Sequence, residues 1–411
     1  MTQIRTVFVV GAGFMGNGIA EMAALAGYRV TMNDVSDDRL KMGMAEIESS
    51  LGRFRSKGRI TGEQHDAALA GLATTTGLEE ASGADLVVEA VPEKLELKQE
   101  LFARLDRICP GGTVLATNTS AISISAIASA TRRPGKVVGT HFFGPVPLMR
   151  LCEIIGGLLT SADTLMTAEE WAKSLGKETV LVRRDHAGFI ANRVNTPGML
   201  EAARLVQDGV ATPAEIDAAA SFGDAQPAGP MQIMDQAGID VSFNTAMAIY
   251  EDTGEPRFFP PPLMRRMISA NALGRKTGMG FYDWTSGKKI PYEFGMMGMG
   301  AAREPGERDS GARNFSIMKR ILLPTVLESI RMVETGVAAP ADIDKASRLG
   351  FNMPMGPLEL ADNMGLDDVL AGASEIYAKT GNFNYFAPAL LLSMVNDGSL
   401  GRKSGRGFYE Y

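Results

Sequence analysis

The stretch GTHFFGPVPLMRLCEII, residues 139–155, holds His141, one of three histidines in the chain, and Glu153 further on among apolar neighbours. Imidazole exchanges protons near neutral pH. A carboxylate on its other ring nitrogen would hold one tautomer and stabilise the imidazolium. Such a pair could take the hydroxyl proton of a secondary alcohol as hydride leaves carbon. Two readings fit the residues alone: a core histidine near an unrelated acid, or a proton-transfer pair. The surroundings have to decide.

A second chemical signal comes at the start of the chain. Gly11, Gly13 and Gly16 form a GxGxxG loop, with Phe14 and Met15 between the last two glycines. Before it runs VFVV (7–10), an apolar strand; after it comes a helical apolar spacing. In that context the glycines have separate tasks. Gly11 permits a tight turn, Gly13 lets backbone approach a pyrophosphate, and Gly16 lets helix pack close to strand. The phosphates would meet unpaired N–H groups at the positive helix end. Asp34 closes the second strand, YRVTMND (28–34), where a carboxylate accepts from ribose hydroxyls and repels a 2′-phosphate. NAD is therefore expected rather than NADP. FAD uses a similar loop, so the loop alone does not name the cofactor.

The elements that must carry these groups follow from apolar patterning. ADLVVEAV (84–91), TVLATN (113–118) and KVVGTHFF (136–143) add strands, with helical stretches between. Alternating strands and helices imply a doubly wound, Rossmann-type parallel sheet over residues 1–186. Beyond 187 the texture is helical, and the chain repeats itself at a shift of 127 residues. Pro197 meets Pro324, Glu201 meets Glu328, and LGRKTGMGFY (273–282) meets LGRKSGRGFY (400–409). Chance does not keep one offset over about a hundred residues. The expected organisation is a nucleotide domain (1–186), two all-α domains related by duplication (187–285 and 314–411), and a Gly- and Met-rich linker (286–313).

Composition excludes several classes. A net charge of −7 gives no support for nucleic-acid binding. Cys109 and Cys152 are far apart, with no Cys/His cluster, so neither a metal nor a disulfide is expected. That suits a cytoplasmic protein. No apolar run is long enough for a membrane span, and the first residues lack a signal-peptide cleavage pattern.

TNTSAISI, HFFGPVP, GFIANR and LGRKTGMGFY, in this order, resemble the L-3-hydroxyacyl-CoA dehydrogenase family over the whole chain. The duplicated helical domain is similar to the dehydrogenase part of the large fatty-oxidation proteins, here without an expected hydratase domain. The resemblance implies an NAD-dependent oxidoreductase of β-oxidation or aromatic-acid breakdown acting on an acyl-CoA thioester. It makes His141 the catalytic base and Glu153 its orienting partner. It places Ser120 beside the substrate hydroxyl and the nicotinamide, and Asn192 at the reacting end of the substrate. Glu93 and Lys98 would border the NAD site, and Lys276 would reach toward the cofactor. Ser50 and Lys57 would bind coenzyme A on a helical arm near 36–70, where Arg53, Arg55 and Arg59 add positive charge.

Some positions depart from the family pattern. HFFGP replaces the usual HFFNP, so Gly144 lacks an amide that would touch cofactor or substrate. Ala187 replaces a proline, and neighbouring His186 has no assigned role. In the second copy Lys319 and Ser316 stand where Asn192 and Phe189 would map, so that copy is expected to be structural. A monomer whose helical copies pair within the chain is expected; a dimer is the alternative. Two further functional readings are a dehydrogenase of a free hydroxy acid and an inactive NAD-bound scaffold.

Overall fold

A computed structural model describes residues 4–221, 228–285, 290–291 and 310–411. The chain divides into two compact units, Met1–Phe189 and Ile190–Tyr411.

The first unit begins β1 (Thr6–Val10), α1 (Phe14–Leu25), β2 (Arg29–Asn33), α2 (Asp37–Ser56), α3 (Gly62–Ala70) and β3 (Leu72–Thr75). It continues β4 (Leu86–Glu89), α4 (Leu95–Ile108), β5 (Val114–Thr117), α5 (Ile124–Ala128) and β6 (Val137–Phe142), then β7 (Leu151–Gly156), α6 (Ala162–Ser174) and β8 (Glu178–Val182). The five strands read from the sequence all form. The eight-stranded order is β3-β2-β1-β4-β5-β6-β7-β8. The order reverses between β1 and β4, beside the glycine loop, the usual place for a ligand in an open α/β sheet. β1, β4 and β5 are apolar runs because both faces of the sheet are covered. Val9, Ile19, Met32, Leu86, Phe142 and Trp171 belong to one buried cluster.

One pairing departs from the expected all-parallel sheet: β6 and β7 run antiparallel. Only residues 143–150 join them. A parallel crossover takes a dozen or more residues, so the chain has to turn straight back.

The second unit holds α7 (Ala191–Gln207), α8 (Pro213–Ala220), α9 (Pro230–Ala237), α10 (Ile239–Thr253) and α11 (Pro262–Ser269). After the short pair β9 (Tyr282–Asp283) and β10 (Ile290–Pro291) come α12 (Ser310–Glu334), α13 (Pro340–Phe351), α14 (Pro357–Met364), α15 (Leu366–Thr380) and α16 (Ala389–Asn396). The repeat read from the sequence reappears as matching helices and matching polar anchors. Asp217 accepts from the N–H groups of Met231 and Gln232 and from the Tyr282 hydroxyl. Asp344 does the same for Leu358, Glu359 and Tyr409. Of the linker expected over 286–313, residues 310–313 already belong to α12 and 290–291 to β10; residues 286–289 and 292–309 lie outside the described residues. Among the described residues, no helix is long and apolar enough to cross a membrane.

The copies exchange ion pairs where α7 packs on α12. Glu328, fully buried, accepts from Arg193 Nε at 2.7 Å and Arg257 Nε at 2.6 Å, with Arg331 at 3.6 Å. Its counterpart Glu201 accepts from Arg320 Nη2 at 2.6 Å and Asn382 Nδ2 at 3.0 Å. Burial alone would raise the Glu328 carboxyl. The three guanidiniums outweigh it and hold the group below the usual carboxylate range. The stabilisation from this shift is present above the unfolded-state pKa and is lost as pH falls through the folded one. Removing one partner of such a cluster leaves uncompensated buried charge. Glu328→Gln is therefore expected to destabilise the helical unit by about 3–5 kcal/mol, read as a lower urea midpoint at pH 7 by far-UV circular dichroism.

Candidate active site

The loop between β1 and α1 can be made only from glycine at two positions. Gly11 has φ +105°, and a Cβ there would lie 2.7 Å from the Ala90 carbonyl oxygen. A Cβ on Gly16 would lie 1.8 Å from the Gly11 carbonyl oxygen, so α1 packs against its own loop. A Cβ on Gly13 would meet nothing within 4 Å, and α1 starts there without a side-chain cap. Its first N–H groups thus face an open approach for an anion. Asp34 accepts from the N–H groups of Ala12 at 2.8 Å and Val35 at 2.7 Å, which aims its carboxylate across the same loop. These residues fit a dinucleotide: diphosphate over Gly13, Phe14 and Met15, ribose at Asp34.

The antiparallel turn does the second piece of positioning. In the β6–β7 register His141 lies opposite Glu153. Nδ1 of the imidazole is 2.6 Å from Glu153 Oε2. His141 is 5% exposed and Glu153 is fully buried. The rings of Phe143 and Phe189 stand 4.5 and 5.7 Å from the imidazole, centroid to centroid. Phe189 has φ +47°, an uncommon conformation for a bulky residue and one that tends to occur at functional sites.

Around this pair a polar network holds the ends of β4, β5 and β6. Asn118 Oδ1 accepts the Phe142 N–H at 2.8 Å. Glu89, fully buried, accepts from Thr117 Oγ1 and Lys98 Nζ, both at 2.6 Å. Glu93 accepts from Thr119 Oγ1, the Ser120 N–H at 2.8 Å and the Ala121 N–H, with Lys98 at 3.3 Å. Burial would raise the Glu93 carboxyl; Lys98 and these donors outweigh it and hold it below its ordinary value. So Glu93, Lys98 and Ser120 come together. Lys98 is only 1% exposed, and its ammonium is engaged by the two carboxylates. Sequence reasoning missed Glu89 and Asn118. A carboxylate ending the apolar run LVVE was the available signal for Glu89.

A cleft of about 710 Å³ runs between α1, α2 and the Pro145–Leu148 turn. Arg53, Lys57 and Arg59 stand on its wall with Ser50; Arg55 is not among them and lies near Gly62 instead. The arm is amphipathic, with Leu40, Ile47 and Leu51 buried beneath.

The remaining expected residues belong to the helical unit. Asn192 is half-buried in the first turn of α7. Lys276 Nζ is 2.7 Å from Asp240 Oδ2. In the second copy α12 runs unbroken through Ser316 and Lys319, and Lys319 stands 3.8 Å from Glu375. The Gly188–Phe189 left-handed pair that precedes α7 has no counterpart there: Phe315 and Ser316 are helical.

A glycine loop feeding a helix, in a doubly wound sheet that also holds a buried histidine–carboxylate pair, defines a Rossmann-type dehydrogenase. The chain belongs to the 3-hydroxyacyl-CoA dehydrogenase family. Residues 6–186 match its NAD binding domain, and residues 188–284 and 317–411 each fall on its C-terminal domain. A probable 3-hydroxybutyryl-CoA dehydrogenase of Bacillus subtilis is 40% identical over 282 residues, 69% of this chain and 98% of that protein. The 3-hydroxybutyryl-CoA dehydrogenase of Bradyrhizobium diazoefficiens is 41% identical over 288 residues, 70% of this chain and 98% of that one. A crystal structure of 3-hydroxybutyryl-CoA dehydrogenase from Escherichia coli K12 covers 97% of this chain and 100% of its own, with a TM-score of 0.86 and 29% identity.

Gly144, the departure from the family's HFFNP, lies against the Phe14 ring. A Cβ there would lie 2.4 Å from Phe14 Cε1 and 3.2 Å from the Met15 sulfur. The Phe14 ring occupies the space of a side chain at 144, while 64% of the residue remains exposed on the cleft side. Gly144→Asn is expected to push the exposed Phe14 ring aside at little cost, within about 0.5 kcal/mol of the parent protein by urea unfolding.

Proposed function

We propose that this enzyme oxidises the hydroxyl of an (S)-3-hydroxyacyl-CoA to the 3-oxoacyl-CoA, with NAD as acceptor. The observation that carries the reading is the His141–Glu153 contact at 2.6 Å. With Nδ1 engaged by Glu153, Nε2 is the ring nitrogen that accepts the substrate's hydroxyl proton, and the carboxylate stabilises the imidazolium that forms. In the reverse direction that imidazolium returns the proton. NAD, held over the glycine loop and Asp34, would supply the hydride acceptor for C3. Ser120, held by Glu93 through its own N–H, turns its hydroxyl to the reacting oxygen. The family resemblance assigns Asn192 to the reacting end of the substrate and Lys276 to the cofactor. Ser50, Lys57 and the arginines of the cleft take the coenzyme A arm, since guanidinium and ammonium groups are what meets its phosphates.

Relatives named for 3-hydroxybutyryl-CoA support a short acyl chain. A relative in Escherichia coli named 3-hydroxyadipyl-CoA dehydrogenase, 40% identical, makes dicarboxylic chains the first comparison. Cys109 and Cys152 are both buried, their thiols pushed up by burial, Cys109 to about 11.

The second helical copy is read as structural. Through the exchanged pairs at Glu201 and Glu328 it covers the face of α7 that a second subunit would otherwise cover. A monomer is the expected sedimentation result; an obligate dimer would remove that reading. The test of the activity is NADH formation with a panel of 3-hydroxyacyl-CoA thioesters of increasing length, dicarboxylic ones included. His141→Ala is expected to lower turnover at least about 100-fold, the scale of a lost acid–base group, with NAD affinity unchanged. Normal turnover in that variant would overturn the mechanism.

A further inference from the structure

Glu21 is a buried carboxyl with no part in the chemistry described so far. It lies on α1, is 2% exposed, and lines the same cleft as Ser50, Arg53 and Lys57. Ser50 Oγ donates to Glu21 Oε1 at 2.7 Å. A serine hydroxyl has a single proton. While Glu21 is ionised it can only accept, so that proton is committed to it and Ser50 offers the cleft lone pairs alone. Once Glu21 is protonated it can donate to Ser50, and the Ser50 proton becomes available to a ligand oxygen.

We propose that Glu21 is a positioning residue for the acyl-CoA substrate, which, through the direction of the Ser50 hydroxyl, makes the cleft a donor or an acceptor toward the coenzyme A arm. The inference rests on the acyl-CoA reading of the cleft. Burial pushes the Glu21 carboxyl up to about 7, against the lowering pull of Ser50, Arg53 and Lys177, so both states are accessible near neutral pH. The charged groups facing it are few. Arg53 comes from α2, with Glu46 on the same cleft wall. Lys177 comes from the turn before β8; burial lowers its ammonium to about 8, while Cys152 and Glu21 raise it. Lys177 Nζ donates to the carbonyls of Val146 and Met149, which ties the proline turn forming the opposite wall to this group.

The direction of the effect follows from charge and solvation. A coenzyme A thioester brings phosphates into the cleft and covers its floor. Added negative charge and loss of water both disfavour the carboxylate. Binding therefore takes up a proton at Glu21, and the protonated form, with Ser50 donating to an oxygen of the ligand, binds more tightly. A rise of about one unit in the Glu21 pKa on binding corresponds to an affinity about tenfold weaker well above neutral pH than below it.

The test is titration calorimetry of acetoacetyl-CoA into the full-length wild type and Glu21→Gln, from pH 6 to pH 8.5, in buffers of differing ionisation enthalpy. Glutamine keeps the shape and can donate to Ser50 but does not titrate. Relative to Glu21→Gln, the wild type should lose about tenfold in affinity across this range and take up additional protons near pH 7.5. Coincident profiles and equal proton uptake would overturn the role of Glu21 and leave the dehydrogenase reading standing. No binding of the thioester to the wild type at any pH would overturn both. NAD affinity serves as the check that Glu21→Gln is folded. If it is not, proton uptake by Ser50→Ala supplies the test: loss of the excess uptake supports the proposal, and uptake equal to the wild type overturns it.

Discussion

A short antiparallel turn at one side of a parallel sheet sets the geometry of the proposed proton-transfer pair. The segment 143–150 cannot cross the sheet, so β7 returns beside β6 and lays Glu153 opposite His141. Both side chains are nearly or wholly shut off from water. An unpaired carboxylate there would be costly, and an unpaired imidazole would have no reason to hold one tautomer. Their contact satisfies both groups and engages Nδ1, the nitrogen opposite the one proposed to take the substrate proton. A slip of one residue in the β6–β7 register would turn one partner to the other face of the sheet and end the pairing.

The rest of the nucleotide unit braces the strand ends beside that pair. Asn118 ties the end of β5 to Phe142, the residue next to His141. Glu89 and Lys98, buried together, brace the loops after β4 and β5, and Glu93 organises the Ser120 turn with three donors from it. Charge is buried here in pairs, as the low dielectric of a protein interior requires. The same logic explains the basic cleft on an acidic protein: its cations stand on an exposed arm, where they cost little to keep charged, while the apolar face of that arm packs beneath.

In the helical unit, duplication has preserved the framework in both copies. Both copies keep the aspartates that hold turns, Asp217 with Asp344 and Asp235 with Asp362. Both keep the buried glutamate of the long helix, each reached by an arginine of the other copy. The second copy lacks the left-handed turn that precedes α7 and the half-buried asparagine that follows it; its helix runs unbroken through those positions. Keeping the ion-paired face without the asparagine turn fits the proposed structural role of that copy.

What the sequence determined alone was whatever local pattern enforces. The glycine loop, the five apolar strands and the repeat were legible because turns, continuous apolar runs and internal likeness are written in consecutive residues. The nomination of His141 and Glu153 came from residue type and from the family resemblance. Tertiary structure decided the rest. It brought Glu89 to Lys98, Ser50 to Glu21, and the Phe14 ring into the space that a side chain at Gly144 would fill. It also engaged the Lys98 ammonium with carboxylates and left Arg55 outside the cleft. None of these follows from spacing along the chain. Each is a contact between elements whose distance is set by the packing of α1, α2 and α4 on the sheet, and only that packing says which polar groups are left facing one another.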